Sequence, residues 1–151
     1  MERIASFNVD HRILEPGIYI SRVDGDVTTY DLRTNKPNTP VLMTHEEMHS
    51  MEHLFATFIR NSGIADSIIY FGPMGCQTGF YLLVRNAKHA QVMEYIKDTL
   101  LQIIGFEGEM PGKSEAECGN YISLDIDCAK RLCSEYYSVI KALTENDLYY
   151  R

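Results

Sequence analysis

Positive charge is scarce in this chain. Fourteen Lys and Arg stand against 21 Asp and Glu, a net charge of −7, and the basic residues are scattered rather than clustered. Nucleic acid and anionic membrane surfaces would be repelled, so neither is expected as a partner. Long apolar runs are also missing, and without them no segment can span a bilayer. The opening Met1-Glu2-Arg3-Ile4-Ala5 shows neither an apolar run nor a cleavage site, so no secretory signal is expected. No internal repeat, linker or low-complexity tract interrupts the chain. These absences describe a soluble, cytoplasmic protein. Cysteine is limited to four residues, and in a reducing compartment such residues are buried, metal-bound or catalytic rather than paired.

What is present suits one folded unit. The 151 residues, 45% of them apolar, are enough for one core and too few for two, so residues 1–151 are expected to form a single domain. Gly17–Val23 and Val27–Leu32 alternate on either side of Asp24-Gly25, the pattern of a β-hairpin. Further strands are expected over Ser67–Phe71 and Gly79–Val84, around a glycine-rich loop. A helix is expected to begin at Thr44, where Thr44 and Glu47 match a capping box, and to stop at Asn61-Ser62-Gly63. Others are expected over Lys88–Ile104 and Cys128–Leu143, with Glu107–Gly119 irregular. The fold class is therefore α+β: a mostly antiparallel β-sheet packed against several α-helices.

Three of the five histidines fall in His45-Glu46-Glu47-Met48-His49-Ser50-Met51-Glu52-His53. His45-Glu46 with His49 reads as H-E-x-x-H, and His49 with Glu52-His53 reads as the inverted H-x-x-E-H. Either spacing sets two imidazoles one turn apart on one helix face, where they can share a metal. The inverted reading is favoured. His45 would occupy the exposed first turn, whereas His49 and His53 lie in the helix body beside its apolar face, with Glu52 placed as a general acid/base. The competing reading is a solvated helix flank without function, and His45 is assigned to it.

Two histidines leave a metal site incomplete. Cys118, followed by Gly119 in a loop, is the expected third ligand, thiolate being suited to zinc or ferrous iron. Cys128 and Cys133 sit beside apolar helix positions and are expected in or near the core. Cys76 lies in Gly72-Pro73-Met74-Gly75-Cys76-Gln77-Thr78-Gly79. Flanking glycines would leave its thiol accessible, and a nearby cation would favour the reactive thiolate. These residues alone leave Cys76 open as nucleophile, base or metal ligand.

Taken in order, these segments resemble the LuxS family of S-ribosylhomocysteine lyases. Ser6-Phe7-Asn8-Val9-Asp10-His11 is similar to its S-F-x-x-D-H opening, and Asp31-Leu32-Arg33 with Pro37-Asn38 to its D-[LI]-R-x-x-x-P-N segment. His49–Leu54 resembles its metal helix, and Glu117–Tyr121 the segment carrying its third ligand. Pro73–Tyr81 resembles P-M-G-C-x-T-G-F-Y, the most specific of the set. Gln77 stands where many members carry arginine, and Tyr70 where an acidic residue is common.

The resemblance implies that His49, His53 and Cys118 bind one divalent metal, Fe(2+) natively with Zn(2+) or Co(2+) able to substitute. It implies acid/base catalysis by Cys76 and Glu52, substrate binding by Ser6, His11 and Arg33, and a homodimer with active sites at the interface. The implied reaction moves a sugar carbonyl until β-elimination can break the thioether of S-ribosylhomocysteine. Two other readings compete: an inverzincin-like metallopeptidase, which would not need Cys76, and a passive metal-binding or signalling module.

Overall fold

Alternation produces four strands, every neighbouring pair antiparallel. In the computed structural model, which describes residues 1–151, these are β1 (Gly17–Asp24), β2 (Val27–Arg33), β3 (Ile68–Pro73) and β4 (Gly79–Arg85). They lie in the order β1-β2-β4-β3, so β2 and β4 are central. The hairpin closes on Gly25-Asp26, one residue beyond the expected position, because Asp24 pairs with Val27. Gly25 takes φ +61 there, a left-handed conformation open to glycine without a Cβ clash. β3 begins after a short 3-10 turn at Ala65–Ser67 and runs on to Pro73, a residue tolerated because β3 is an edge strand.

Three helices pack on this sheet: α1 (His45–Ile59), α2 (His89–Ile104) and α3 (Ile126–Ile140). The expected capping box of α1 is formed, Glu47 N–H donating to Thr44 Oγ1 at 3.1 Å and Thr44 N–H to Glu47 Oε1 at 3.2 Å. α3 starts two residues before Cys128 and ends at Ile140 rather than Leu143. The side chain of Asp125 caps it, accepting from the N–H groups of Asp127 and Cys128, which satisfies donors that a helix start otherwise leaves open. The architecture is the expected α+β one, and none of the helices is long and apolar enough to cross a membrane.

One continuous core joins the layers. Phe55 of α1 stacks on Phe71 of β3 at 4.4 Å, and Phe71 on Phe80 of β4 at 4.9 Å. Each such pair contributes about 0.5–1.5 kcal/mol beyond the burial of its area. Met51, Leu54, Phe55 and Ile59 bury the inner face of α1, which leaves His49, Glu52 and His53 on its flank. Ser50 is buried beside them and accepts from the Asp125 N–H at 2.8 Å. That bond holds the start of α3, and the 3-10 turn Tyr121–Ser123 before it, against α1.

Candidate active site

The flank of α1 meets the irregular connection expected over Glu107–Gly119. The rings of His49 and His53 stand perpendicular with centroids 4.8 Å apart. His53 Nδ1 lies 2.9 Å from the Pro111 carbonyl; a carbonyl can only accept, so the proton sits on Nδ1 and the Nε2 lone pair is free. His49 Nδ1 lies 2.6 Å from Ser123 Oγ, whose own proton goes to the Asn120 carbonyl at 3.0 Å. The Ser123 hydroxyl therefore accepts from His49 Nδ1, and again Nε2 is left free. Cys118 Sγ is 3.3 Å from His49 Nε2, and one ligand atom from each of His49, His53 and Cys118 lies within 4.8 Å of the others.

This donor set fits a divalent ion: two imidazole nitrogens and one sulfur, each imidazole oriented through its second nitrogen. The Asn120 N–H points at Cys118 Sγ from 3.5 Å. His49 is pushed below the ordinary histidine range by burial, then by the charges of His53 and His45, which favours the neutral form that ligates. Gly112 makes the approach possible. It has φ +70, and a Cβ there would fall 2.9 Å from His53 Nδ1, so the loop closes over the ring only with glycine.

Glu52 is half-buried on the same flank. Burial raises its carboxyl above the ordinary glutamate range, and the neighbouring His53 opposes that rise. His45 is not part of the trio. It is exposed, stacks on His49 at 5.5 Å and contacts the Asn120 side chain at 3.2 Å.

Cys76 sits exposed in the turn between β3 and β4. Its Sγ is 3.0 Å from Thr78 Oγ1 and 3.9 Å from Arg33 Nη1. Arg33 also donates to Thr78 Oγ1 at 2.8 Å and grips Asp31 with both ends of its guanidinium, at 3.1 and 2.7 Å. The side chains of Arg33 and Asp31 are only 3% and 1% exposed, so this ion pair is desolvated and must stay paired. The turn is tied to α1 through Gln77. Met43 N–H donates to the Gln77 carbonyl at 3.0 Å, and Gln77 Nε2 donates to the Met43 carbonyl at 2.8 Å. Met43 precedes the Thr44 cap directly, so the thiol turn is fastened to the start of α1.

Ser6 and His11 stand apart. His11 Nδ1 bonds within its own segment, to the Val9 carbonyl at 2.9 Å, and neither residue hydrogen-bonds to the trio, Glu52 or the Cys76 turn. Cys128 and Cys133 are buried, as expected, and burial pushes the Cys133 thiol up to about 12, which keeps it inert at neutral pH.

Comparison with known proteins bears directly on this geometry. The family model for S-ribosylhomocysteinase (LuxS) matches residues 4–147, nearly the whole chain. The chain belongs to the LuxS family. An S-ribosylhomocysteine lyase of Clostridium beijerinckii is 43% identical over 157 residues, covering 99% of each chain. Those of Finegoldia magna and Phocaeicola vulgatus are 44% and 41% identical, covering 99% of this chain and 99% and 98% of theirs. In LuxS terms, the two departures noted above are both accommodated. Gln77 adopts φ +64 and anchors the thiol turn, and Tyr70 is exposed on edge strand β3.

Four groups that meet these candidate residues were not legible in the sequence. Asp31 and Thr78 lay inside matching motifs but had no assigned role. Ser123 and Gly112 carried no signal, since their importance comes from the rings they meet.

Proposed function

We propose that this chain cleaves the thioether of S-ribosylhomocysteine, releasing homocysteine and 4,5-dihydroxy-2,3-pentanedione, the precursor of the autoinducer-2 signal. The observation that carries the reading is the two-histidine, one-cysteine ligand set on α1 and its facing loop, with the free thiol of Cys76 fastened to the same helix in a chain of LuxS ancestry. A metallopeptidase would have no use for that thiol, and a passive metal module would need neither it nor Glu52.

His49, His53 and Cys118 would hold the ion. When bound, it supplies Lewis acidity toward sugar carbonyl and enediolate oxygens. The side chains must move protons. Shifting the carbonyl from C1 to C2 takes a proton from C2 and returns one to C1; the second shift repeats this between C3 and C2. Cys76 is the base for these carbon-bound protons, with Thr78 and Arg33 fixing its sulfur. Glu52 exchanges protons among the oxygens and takes the final proton as the C–S bond breaks and homocysteine leaves as its thiolate. Arg33 would help position substrate through Cys76 and Thr78, which its Nη1 holds.

Ser6 and His11 would serve the site of a second copy. Exposed Ile4 and Phe7 flank Ser6, and Val41, Leu42 and Tyr70 form further exposed apolar surface near the thiol turn, which supports a homodimer with active sites at the interface. The native ion is Fe(2+), with Zn(2+) or Co(2+) substituting, and the single-domain enzyme works in the cytoplasm, feeding quorum signalling and the recycling of the spent methyl donor.

The test is turnover by protein purified without oxygen. Homocysteine release is expected from the iron-loaded enzyme and should fall at least about 100-fold in Cys76→Ala and Glu52→Gln variants that keep their metal. No release from metal-loaded, dimeric wild type would refute the lyase.

A further inference from the structure

The Asp31 carboxylate is almost wholly enclosed, yet its second partner comes from the far end of the chain. Tyr150 Oη donates to Asp31 Oδ2 at 2.7 Å across 119 residues of sequence. Tyr150 also lies beyond residue 147, where the family match ends. Its ring stacks on Tyr19 of β1, centroids 4.8 Å apart and planes at 17°, and Tyr19 in turn is held by its hydroxyl to the Glu15 carbonyl at 2.8 Å. The tyrosine hydroxyl is thus delivered to Asp31 by a braced ring rather than by a loose terminus.

We propose that Tyr150 is a positioning residue for the thiol of Cys76, acting through Asp31 and Arg33. This rests on the acid/base role assigned to Cys76 above. A carboxylate offers about four lone-pair directions. Arg33 takes one on each oxygen, at 3.1 and 2.7 Å, and Tyr150 takes another on Oδ2. Three bonds fix the plane of the carboxylate. Because a guanidinium gripped at both ends lies in the plane of its partner, that plane also sets the direction of Arg33. Its remaining arm, Nη1, then meets Thr78 Oγ1 at 2.8 Å and Cys76 Sγ at 3.9 Å. Without the Tyr150 hydroxyl, Asp31 and Arg33 can pivot together while staying paired, and Nη1 leaves the sulfur.

The test compares Tyr150→Phe, which keeps the stacked ring and deletes the hydroxyl, with Tyr150→Ala, which deletes both, in metal-loaded full-length enzyme. Cys76 alkylation by iodoacetamide is followed by peptide mass spectrometry, alongside kcat and KM for S-ribosylhomocysteine, metal content and Tm. Tyr150→Phe is expected to slow alkylation and lower kcat by about three- to tenfold, the scale of one ordinary net hydrogen bond. Metal content should stay full and Tm within a few degrees. Wild-type alkylation and kcat in Tyr150→Phe, with only Tm reduced in Tyr150→Ala, would make the residue a mere strap and overturn the proposal. Slowed alkylation with unchanged kcat would overturn it equally, since the position of the thiol would then not matter to turnover. A Cys76→Ala enzyme that still turns over refutes the role of Cys76. An inactive Cys76→Ala enzyme beside an unaffected Tyr150→Phe refutes only the link to Tyr150.

Discussion

Ser123 orients the ring through which His49 would bind a metal. By passing its own proton to the Asn120 carbonyl and accepting from His49 Nδ1, it fixes the tautomer that leaves Nε2 open. Partners of this kind tune affinity strongly, so Ser123→Ala should weaken metal binding about 10–100-fold, measured by competition with a chromogenic chelator. Unchanged affinity would mean that the imidazole needs no such support. At this scale, legibility divided by residue type. His49, His53, Cys118 and Cys76 stand out as candidates in the sequence because imidazoles and thiols are few and their chemistry is narrow. Ser123, Thr78 and Tyr150 do not. Serine, threonine and tyrosine occur throughout the chain, and these three gain meaning from partners 74, 45 and 119 residues away.

Among the elements, α1 bears most of the site. Its capping box was legible because both halves of the device lie within four residues, Thr44 to Glu47. Thr44→Ala should cost about 1 kcal/mol of stability, seen as a lower urea midpoint at unchanged slope. A variant with the wild-type midpoint would show that the first turn needs no cap. The cap also neighbours Met43, through which the Cys76 turn is fastened, so this helix start organises both halves of the site. α3 shows the opposite case. Its start lies two residues before the expected Cys128 because the Asp125 side chain caps the helix and draws Ile126 and Asp127 into the first turn, a contact made only once the backbone turns.

For the whole molecule, a metal held by His49, His53 and Cys118 would be a bridge. His49 and His53 come from a helix packed on the sheet, and Cys118 from the loop before α3. Few hydrogen bonds hold that loop; the backbone Cys118 N–H donates to the Ser114 carbonyl at 3.1 Å and the Lys113 side-chain Nζ to the Leu124 carbonyl at 2.8 Å. Removing the metal should therefore lower stability globally and loosen residues 107–119 first. For ion at about 1,000 times its Kd the linkage is worth about 4 kcal/mol, which for a chain of this size corresponds to a fall in Tm on the order of 10 °C. Calorimetry with and without chelator tests the first part, and limited proteolysis the second. Equal Tm values with and without metal would mean that the bridge carries no load.

The sequence by itself determined the α+β class, the helix that carries His49, Glu52 and His53, the thiol turn and, through five ordered motifs, the family resemblance. All of these are local patterns, set by periodicity, turn chemistry or residues adjacent in the chain. Only the tertiary structure decided which groups stand together: Cys118 against His49, Gly112 beneath His53, and Asp31, Arg33 and Tyr150 in one hydrogen-bonded line. It also left Ser6 and His11 without a hydrogen bond to that site. Such contacts depend on how helices and loops pack over a shared core, where position is set by the shape of many side chains at once rather than by neighbours along the chain.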